Sequence, residues 1–179
     1  NLRGLPWWNE TAPLVYPHLD SAQSALLQSE LAYQNHIAAS AEYQALPRGP
    51  VHADLFRDNA IFEGEKLSGC FDFYFAGVDT WLFDLCVCLN DWAITHADGL
   101  HEPQRAQALL DAYQAVRPLT AAERQLLPAM ARAAALRYWI SRLWDFYLPR
   151  QASMLTPHDP THMERVLRGR FQQPLVLAA

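Results

Sequence analysis

The stretch of sequence that decides the fold is His52-Ala53-Asp54-Leu55-Phe56-Arg57-Asp58-Asn59, followed downstream by Phe71-Asp72-Phe73. Asp54 lies two residues after His52, and Asn59 lies five residues after Asp54. Carboxylate and amide oxygens are hard donors of the kind that Mg²⁺ prefers in proteins. The spacing therefore predicts that Asp54, Asn59 and Asp72 converge on one site from two neighbouring loops.

The same residue order occurs in kinases, where a His-x-Asp-x-x-x-x-Asn catalytic loop precedes an Asp-Phe pair in the metal-binding loop. Phosphoryl transfer needs a carboxylate that orients the acceptor hydroxyl, and oxygen ligands that hold Mg²⁺ against the nucleotide phosphates. We therefore predict Asp54 as the catalytic base, and Asn59 and Asp72 as the ligands of Mg²⁺ and its bound ATP. Taken singly, each is also a common turn residue or a buried acid, but their joint spacing favours the functional interpretation.

The surroundings of Asp72 and His52 suggest different roles. Asp72 closes the second predicted strand within the apolar run from Cys70 to Phe75, where a charge is costly unless it is paired or bound to metal. His52 is predicted to support the loop by hydrogen bonding, because a transition-metal site would need further ligands at fitting spacing. His158 and His162 are expected to be solvated rather than to form a metal pair, because Pro160 separates them.

Two acids on the following helix are candidates for supporting or substrate-binding roles. Asp84 lies in the first turn of a predicted buried helix, where it either balances the helix dipole or accepts backbone hydrogen bonds from the catalytic loop. Either role is structural support. Asp91 lies seven residues further on, near the same helix face, and is either a substrate contact or a surface acid.

Two arginines in a later, aromatic-rich helix are candidate substrate residues. Arg137 and Arg142 lie in the run from Leu136 to Asp145, and a guanidinium is well suited to bind a carboxylate. The alternative is an amphipathic surface with an intrahelical ion pair between Arg142 and Asp145.

The composition limits the classes of function. The chain has 179 residues, 51% of them apolar, which is enough for one domain with a substantial core. Its net charge of −5 argues against nucleic-acid binding, because phosphate contacts need clustered Lys and Arg. Three cysteines are too few for a disulfide framework and favour reduced thiols in the cytoplasm. No apolar run is long enough to cross a membrane.

Helical periodicity and turn signals indicate a mainly α fold with a small β-hairpin, which is an α+β class. The segment from Leu5 to Pro17 contains three prolines and is expected to be irregular but packed. Asp20 with Gln23, and Thr120 with Glu123, are helix start signals. The predicted elements are helices at about 20–43, 80–96, 103–116, 121–147 and 161–169, and hairpin strands at 60–62 and 67–71.

The catalytic loop, the Asp-Phe strand end and Trp81-x-x-Asp84-Leu85 resemble the aminoglycoside phosphotransferase-like kinase superfamily, whose fold is protein-kinase-like. The segments from Arg3 to Trp8, Phe71 to Trp92 and Leu136 to Leu143 resemble its homoserine kinases. The resemblance implies transfer of the γ-phosphoryl group of ATP to the side-chain hydroxyl of L-homoserine, giving O-phospho-L-homoserine for threonine biosynthesis. It gives Asp54 the base position and assigns the Mg²⁺ positions to Asn59 and Asp72.

The resemblance also implies that residues 1–179 form a kinase-like C-terminal lobe. Residues 47–79 would hold the catalytic loop and metal-binding hairpin, and 20–45 and 80–170 would be mostly helical. No Gly-rich phosphate loop with a strand Lys precedes the catalytic loop, so we expect the N-terminal nucleotide lobe to be absent from this chain and the fragment alone to be inactive. The alternatives are a kinase for another amino-alcohol, choline or an aminoglycoside, a non-catalytic kinase-like interaction domain, and a His-Asp metal hydrolase.

Overall fold

The architecture is mainly helical, as the sequence predicted, and it has two small antiparallel sheets, of which the sequence predicted one. The computed structural model describes residues 1–148 and 157–177. The helices are α1 (Leu5–Val15), α2 (Ser21–Ala38), α3 (Ala41–Gln44), α4 (Trp81–Trp92), α5 (Pro103–Val116), α6 (Ala121–Tyr147) and α7 (Thr161–Gln172). The strands are β1 (Arg48–Val51), β2 (Ala60–Glu63), β3 (Lys66–Cys70) and β4 (Gly77–Thr80).

Helix α6 is the centre of the core. It packs against α1, α2, α3, α4 and α7, and its middle turns are buried on almost every side. Small alanines at 129, 131 and 133–135 let the neighbouring helices approach closely, while larger apolar side chains fill the space between them. The fully buried larger side chains include Leu27, Leu82, Leu89, Leu127, Leu136, Trp139 and Ile140.

Both predicted capping boxes are present. The Asp20 side chain accepts from the Gln23 backbone N–H at 2.8 Å, and the Thr120 hydroxyl accepts from the Glu123 backbone N–H at 3.2 Å. Thr80 caps α4 in the same way by accepting from the Phe83 N–H. These caps satisfy backbone donors that a helix N-terminus leaves free, so they fix where α2, α4 and α6 begin.

The expectation of an irregular segment at the N-terminus is wrong, because residues 5–15 form α1. Pro6 lies in the first turn, where the missing N–H costs nothing, and Pro13 lies within the helix. The buried residues Trp8, Ala12 and Val15 recur at helical spacing and pack against the core. Their packing outweighs the local effect of the prolines.

Three element boundaries also differ from the sequence prediction. Helix α2 ends at Ala38 rather than near residue 43, and the short α3 follows it. Helix α4 ends at Trp92 rather than near residue 96, and α7 ends at Gln172 rather than near residue 169. The pairing of β1 with β4 was not predicted, because Pro50 lacks an N–H and demotes a strand assignment. The predicted hairpin of β2 and β3 is present. None of the helices within the described ranges is both long and apolar enough to cross a lipid bilayer.

The contact between the loop after α4 and α7 depends on a glycine. Gly99 has a φ of +74°, and an added Cβ would lie 2.8 Å from the backbone nitrogen of Val166. Gly64 in the hairpin turn has a φ of +62°, but an added Cβ there meets nothing within 4 Å. An alanine would be strained at either position, because both have a positive φ, but it would clash with neighbouring backbone only at position 99.

We predict that Gly99→Ala lowers the free energy of unfolding by about 3 kcal/mol or more, because it combines left-handed strain of about 1–2 kcal/mol with a backbone clash. Gly64→Ala is the matched control and should cost only the strain, about 1–2 kcal/mol. Urea unfolding of the two variants measures the difference. Equal losses would contradict the close approach of α7 to Gly99.

Candidate active site

The catalytic-type loop is held to α4 through the carboxylate of Asp84. Its two oxygens accept from the backbone N–H groups of His52 at 3.0 Å and Ala53 at 2.7 Å. Ala53 has a φ of +59°, a left-handed conformation that a non-glycine residue adopts only when its surroundings impose it. Of the two roles considered for Asp84, this geometry corresponds to the brace beneath the catalytic loop.

Further along α4, two more contacts hold the same loop. The indole N–H of Trp92 donates to the carbonyl of Leu55 at 3.0 Å. The Asp91 carboxylate accepts from the backbone N–H of Arg57 at 2.8 Å and pairs with its side chain at 3.1 Å. Because residues seven or eight apart share a helix face, α4 presents these groups and Asp84 as one row along the loop. Asp91 thus has a partner within the chain, which neither sequence interpretation of this residue included.

Helix α6 supplies the immediate surroundings of Asp54. The hydroxyl of Tyr138 lies 2.9 Å from Asp54 Oδ1 and 2.6 Å from the carbonyl oxygen of Ala53. The guanidinium of Arg137 lies 3.6 Å from the same carboxylate. Arg137 is 1% exposed, and its guanidinium packs over the rings of Phe75 at 4.6 Å and Tyr138 at 3.9 Å. It is therefore a buried counter-ion of Asp54 and not part of an amphipathic surface.

The charge state of Asp54 is set by opposing effects. Burial raises the pKa of its carboxyl above the ordinary value, and the nearby negative charge of Asp72 raises it further. The Arg137 guanidinium and the hydrogen bond from Tyr138 lower it. A carboxylate with a raised pKa is a better proton acceptor than one of ordinary pKa, as a general base requires.

Asn59 and Phe71 connect the two loops. The Asn59 side-chain N–H₂ donates to the carbonyl of Asp54 at 2.8 Å, which leaves the amide oxygen available to another partner. The backbone N–H of Phe71 donates to the carbonyl of Asn59 at 3.1 Å. The Phe71 carbonyl lies 2.9 Å from His52 Nε2, which donates because a carbonyl only accepts. This engaged nitrogen is consistent with the predicted supporting role of His52.

Asp72 is exposed, which corrects the expectation that it lies in a buried apolar setting. Strand β3 ends at Cys70, and Asp72 follows with a φ of +61° before a short 3₁₀ turn at Phe73–Phe75. The neighbouring aromatics Phe71, Phe73 and Tyr74 are themselves exposed by 45%, 57% and 69%. The left-handed turn directs the chain away from the core, so the aromatic neighbours do not bury the charge.

Six of the predicted site residues line one open cavity of about 810 Å³. His52 and Asp84 are not part of its wall and support the loop from behind. The predicted residues that line the cavity are Asp54, Asn59, Asp72, Asp91, Arg137 and Arg142.

The donor set fits Mg²⁺ bound together with phosphate oxygens. The free amide oxygen of Asn59 and the exposed carboxylate of Asp72 are both hard oxygen donors facing the same cavity. Within residues 1–148 and 157–177, no group of three or more His, Cys, Asp and Glu residues is placed to hold a metal ion. Two protein ligands suffice for Mg²⁺, because this ion commonly keeps waters and substrate phosphates as its remaining ligands.

Several residues of the cavity were missed or misplaced by sequence reasoning. Asp145 pairs with Arg3 at 3.8 Å, so the predicted intrahelical pair with Arg142 is wrong. His158 and His162 both line the cavity; His158 is exposed, as expected, whereas His162 is partly buried. The role of Tyr138 was not anticipated, and its place one residue after Arg137 in the same aromatic run was the only available signal.

We predict that Arg137→Gln raises the pKa of Asp54, because loss of a neighbouring positive charge favours the neutral acid. Arg137→Lys keeps a charge there and should shift the pKa less. The carboxyl ¹³C resonance of Asp54, followed by NMR as a function of pH, measures the change. Arg105→Gln, at an exposed arginine outside the cavity, is the control. An unchanged or lowered pKa in Arg137→Gln would contradict the assigned counter-ion.

Comparison with known proteins finds curated relatives that match almost the whole of this chain. The chain is 62% identical over 177 residues to the homoserine kinase of Polaromonas naphthalenivorans (strain CJ2), covering 99% of this chain and 56% of that protein. It is 59% identical over 176 residues to the homoserine kinase of Cupriavidus necator (strain H16), covering 96% of this chain and 53% of that protein. The homoserine kinase of Janthinobacterium sp. (strain Marseille) is 57% identical over 173 residues, which cover 97% of this chain and 54% of that protein.

These coverages mean that the chain spans little more than half the length of the curated relatives it matches. Residues 1–119, which include the catalytic loop, the hairpin and the α4 brace, match the sequence profile of the phosphotransferase enzyme family. On this match and on the geometry of its site, the chain belongs to the phosphotransferase enzyme family.

Proposed function

We propose that this chain supplies the catalytic and substrate lobe of a homoserine kinase. The enzyme transfers the γ-phosphoryl group of ATP to the side-chain hydroxyl of L-homoserine and forms O-phospho-L-homoserine, a step of threonine biosynthesis. The observation that supports this most strongly is the placement of Asp54, Asn59 and Asp72 on one cavity, in a chain that is 56–62% identical to eight homoserine kinases.

Asp54 acts as the base in this proposal. Its carboxylate accepts a hydrogen bond from the acceptor hydroxyl and takes the proton as the hydroxyl oxygen bonds to the γ-phosphorus. The bond from the γ-phosphorus to the bridging oxygen breaks, and ADP leaves with the electron pair. Tyr138 contacts the Oδ1 atom of Asp54 at 2.9 Å, whereas the Asn59 amide donates to Oδ2 only at 3.5 Å, so Oδ2 is the oxygen we assign to the acceptor hydroxyl. The Arg137 guanidinium opposes the effect of burial, which raises the pKa of the Asp54 carboxyl.

Asn59 and Asp72 would hold Mg²⁺ against the phosphates of ATP. When bound, the ion neutralises charge that develops on the phosphate oxygens during transfer. The chain's own contribution is to fix the direction of these two oxygen donors. Asn59 does so through its hydrogen bond to the Asp54 carbonyl, and Asp72 through the flanking residue Phe71, which is bonded at both its N–H and its C=O.

The arginines of the cavity support a carboxylate-bearing acceptor, because a guanidinium is well suited to bind a carboxylate. Among the described residues, the wall contains four arginines (Arg3, Arg57, Arg137 and Arg142) and six aspartates (Asp54, Asp58, Asp72, Asp91, Asp145 and Asp159). Because the aspartates outnumber the arginines, the formal charge of this wall does not by itself disfavour a cationic acceptor such as choline or an aminoglycoside. The occupied Nε2 of His52 disfavours a hydrolase in which that nitrogen binds metal.

The setting of the enzyme is part of the proposal. We place it in the cytoplasm, where the three free cysteines would stay reduced. The net charge of −5 offers no surface for nucleic acid, and the partners are ATP and the small-molecule acceptor. This sequence contains no Gly-rich phosphate loop with a strand Lys, so we expect the 179-residue chain alone to bind Mg-ATP weakly and not to turn over.

The test uses a full-length enzyme carrying this chain, with residues beyond it supplied by the Polaromonas naphthalenivorans relative; we call this the completed enzyme. We predict homoserine-dependent release of ADP in a coupled assay. Asp54→Asn should lower kcat by about 10²–10⁴-fold, because it removes the general base, and should change the KM for ATP little.

Asp111→Asn is the matched control for the loss of one carboxylate, since Asp111 is an exposed acid on α5 outside the cavity. It should retain the rate of the unaltered enzyme. A kcat of Asp54→Asn near that of the control would require another base, and the absence of homoserine-dependent ADP release from the unaltered enzyme would exclude homoserine as the acceptor.

A further inference from the structure

Arg142 differs from the other arginines of the cavity wall because it has no direct partner among the described residues. Arg57 pairs with Asp91 at 3.1 Å, Arg137 with Asp54 at 3.6 Å, and Arg3 with Asp145 at 3.8 Å. Within residues 1–148 and 157–177, Arg142 forms neither a hydrogen bond nor an ion pair.

The environment of Arg142 makes this lack of a partner costly. Burial lowers the pKa of its guanidinium, while Asp91, Asp159 and Asp58 raise it only from a distance. An arginine remains charged under such conditions. A partly buried charge without a close counter-ion is unfavourable, and an anion entering the cavity would relieve that cost.

Two neighbours of Arg142 add to the capacity of this wall for an anion. The Ser141 hydroxyl is buried and has no hydrogen-bond partner among the described residues, although the side chain lines the cavity. His162 also lines the cavity, and burial lowers its pKa to about 4, so it is uncharged at neutral pH. Of these three neighbouring side chains, only that of Arg142 carries a positive charge that a ligand could meet at neutral pH.

The position of Arg142 on α6 fits the length of the proposed acceptor. Tyr138, which contacts Asp54, lies four residues before Arg142, so the two share a helix face about 6 Å apart along the axis. In L-homoserine, four bonds join the hydroxyl oxygen to the carboxylate carbon, which gives about 5 Å in an extended chain from bonds of about 1.5 Å. A molecule with its hydroxyl at Asp54 can thus extend its carboxylate toward Arg142.

Arg137 is not suited to the same role. It is already paired with Asp54, and its guanidinium is packed between two aromatic rings with 1% of the residue exposed. Its Nε and Nη2 atoms have no hydrogen-bond partner among the described residues, but both are fully buried and therefore less accessible to a ligand. The two arginines therefore have different functions: Arg137 is the counter-ion of the base, and Arg142 is available to the ligand.

We infer that Arg142 binds the α-carboxylate of the acceptor and is the residue by which the site selects amino-acid alcohols over amino-alcohols that lack a carboxylate. This inference rests on the proposed function, since it assigns the recognition of the acceptor at the same site.

The experiment compares L-homoserine with 3-amino-1-propanol, which is homoserine without its carboxylate, as acceptors for the completed enzyme. The unaltered enzyme should show a kcat/KM at least about 10–100-fold higher for homoserine, the range expected for a hydrogen-bonded charge pair. Arg142→Gln should raise the KM for homoserine by a similar factor and leave kcat/KM for 3-amino-1-propanol nearly unchanged. Arg142→Lys should restore part of the selectivity.

The exposed Arg105 gives the matched control, because Arg105→Gln removes the same charge outside the cavity. It should leave kcat/KM for both acceptors unchanged. An equal loss of kcat/KM for both acceptors in Arg142→Gln, or an unchanged KM for homoserine, would overturn the inference. Neither result would contradict homoserine phosphorylation itself. Equal use of the two acceptors by the unaltered enzyme would overturn it without any variant. Absence of homoserine-dependent ADP release would instead remove the proposed function, and this inference with it.

Discussion

The Asp84 carboxylate and the two backbone N–H groups that it accepts form the interaction on which the rest of the site depends. A left-handed residue at Ala53 costs about 1–2 kcal/mol, whereas hydrogen bonds to a charged acceptor contribute about 1.5–3 kcal/mol each, so the brace outweighs the strain. The strained turn sets the direction of Asp54. Because Asp84 lies on the buried helix α4, the packing of that helix in the core determines the position of the loop.

A second constraint comes from α6, which determines the charge of the base and, in our proposal, the identity of the acceptor. The adjacent α6 residues Arg137 and Tyr138 contact Asp54, and Arg142 lies one turn further along the same helix. A single rigid helix thus carries the groups for both tasks, and their separation is fixed by helical geometry. Burial alone would favour a protonated Asp54, and the guanidinium offsets that tendency. The enzyme proposed here would therefore be sensitive to any change that moves α6 relative to α4.

Much of this arrangement follows from the sequence, because several signals are local. The capping boxes at Asp20 and Thr120 and the hairpin of β2 and β3 depend on nearby residues, and all are present. The joint spacing of Asp54, Asn59 and Asp72 also predicts one cavity. Non-local contacts were harder to predict: α1 forms despite its prolines because its apolar face packs on the core, and Asp145 pairs with Arg3 from the other end of the chain. The position of Tyr138 beside Asp54 depends on how α6 packs, which periodicity does not determine.

The most direct test of this account is amide hydrogen exchange in the completed enzyme with Asp84→Asn. The amide side chain keeps the size of the carboxylate but loses its charge and one acceptor oxygen. The account predicts that protection of the His52 and Ala53 amides falls by about 10–100-fold, as expected for loss of a bond to a charged acceptor, while amides in the middle of α6 keep theirs. Unchanged protection at His52 and Ala53 would contradict the claim that Asp84 holds the catalytic loop.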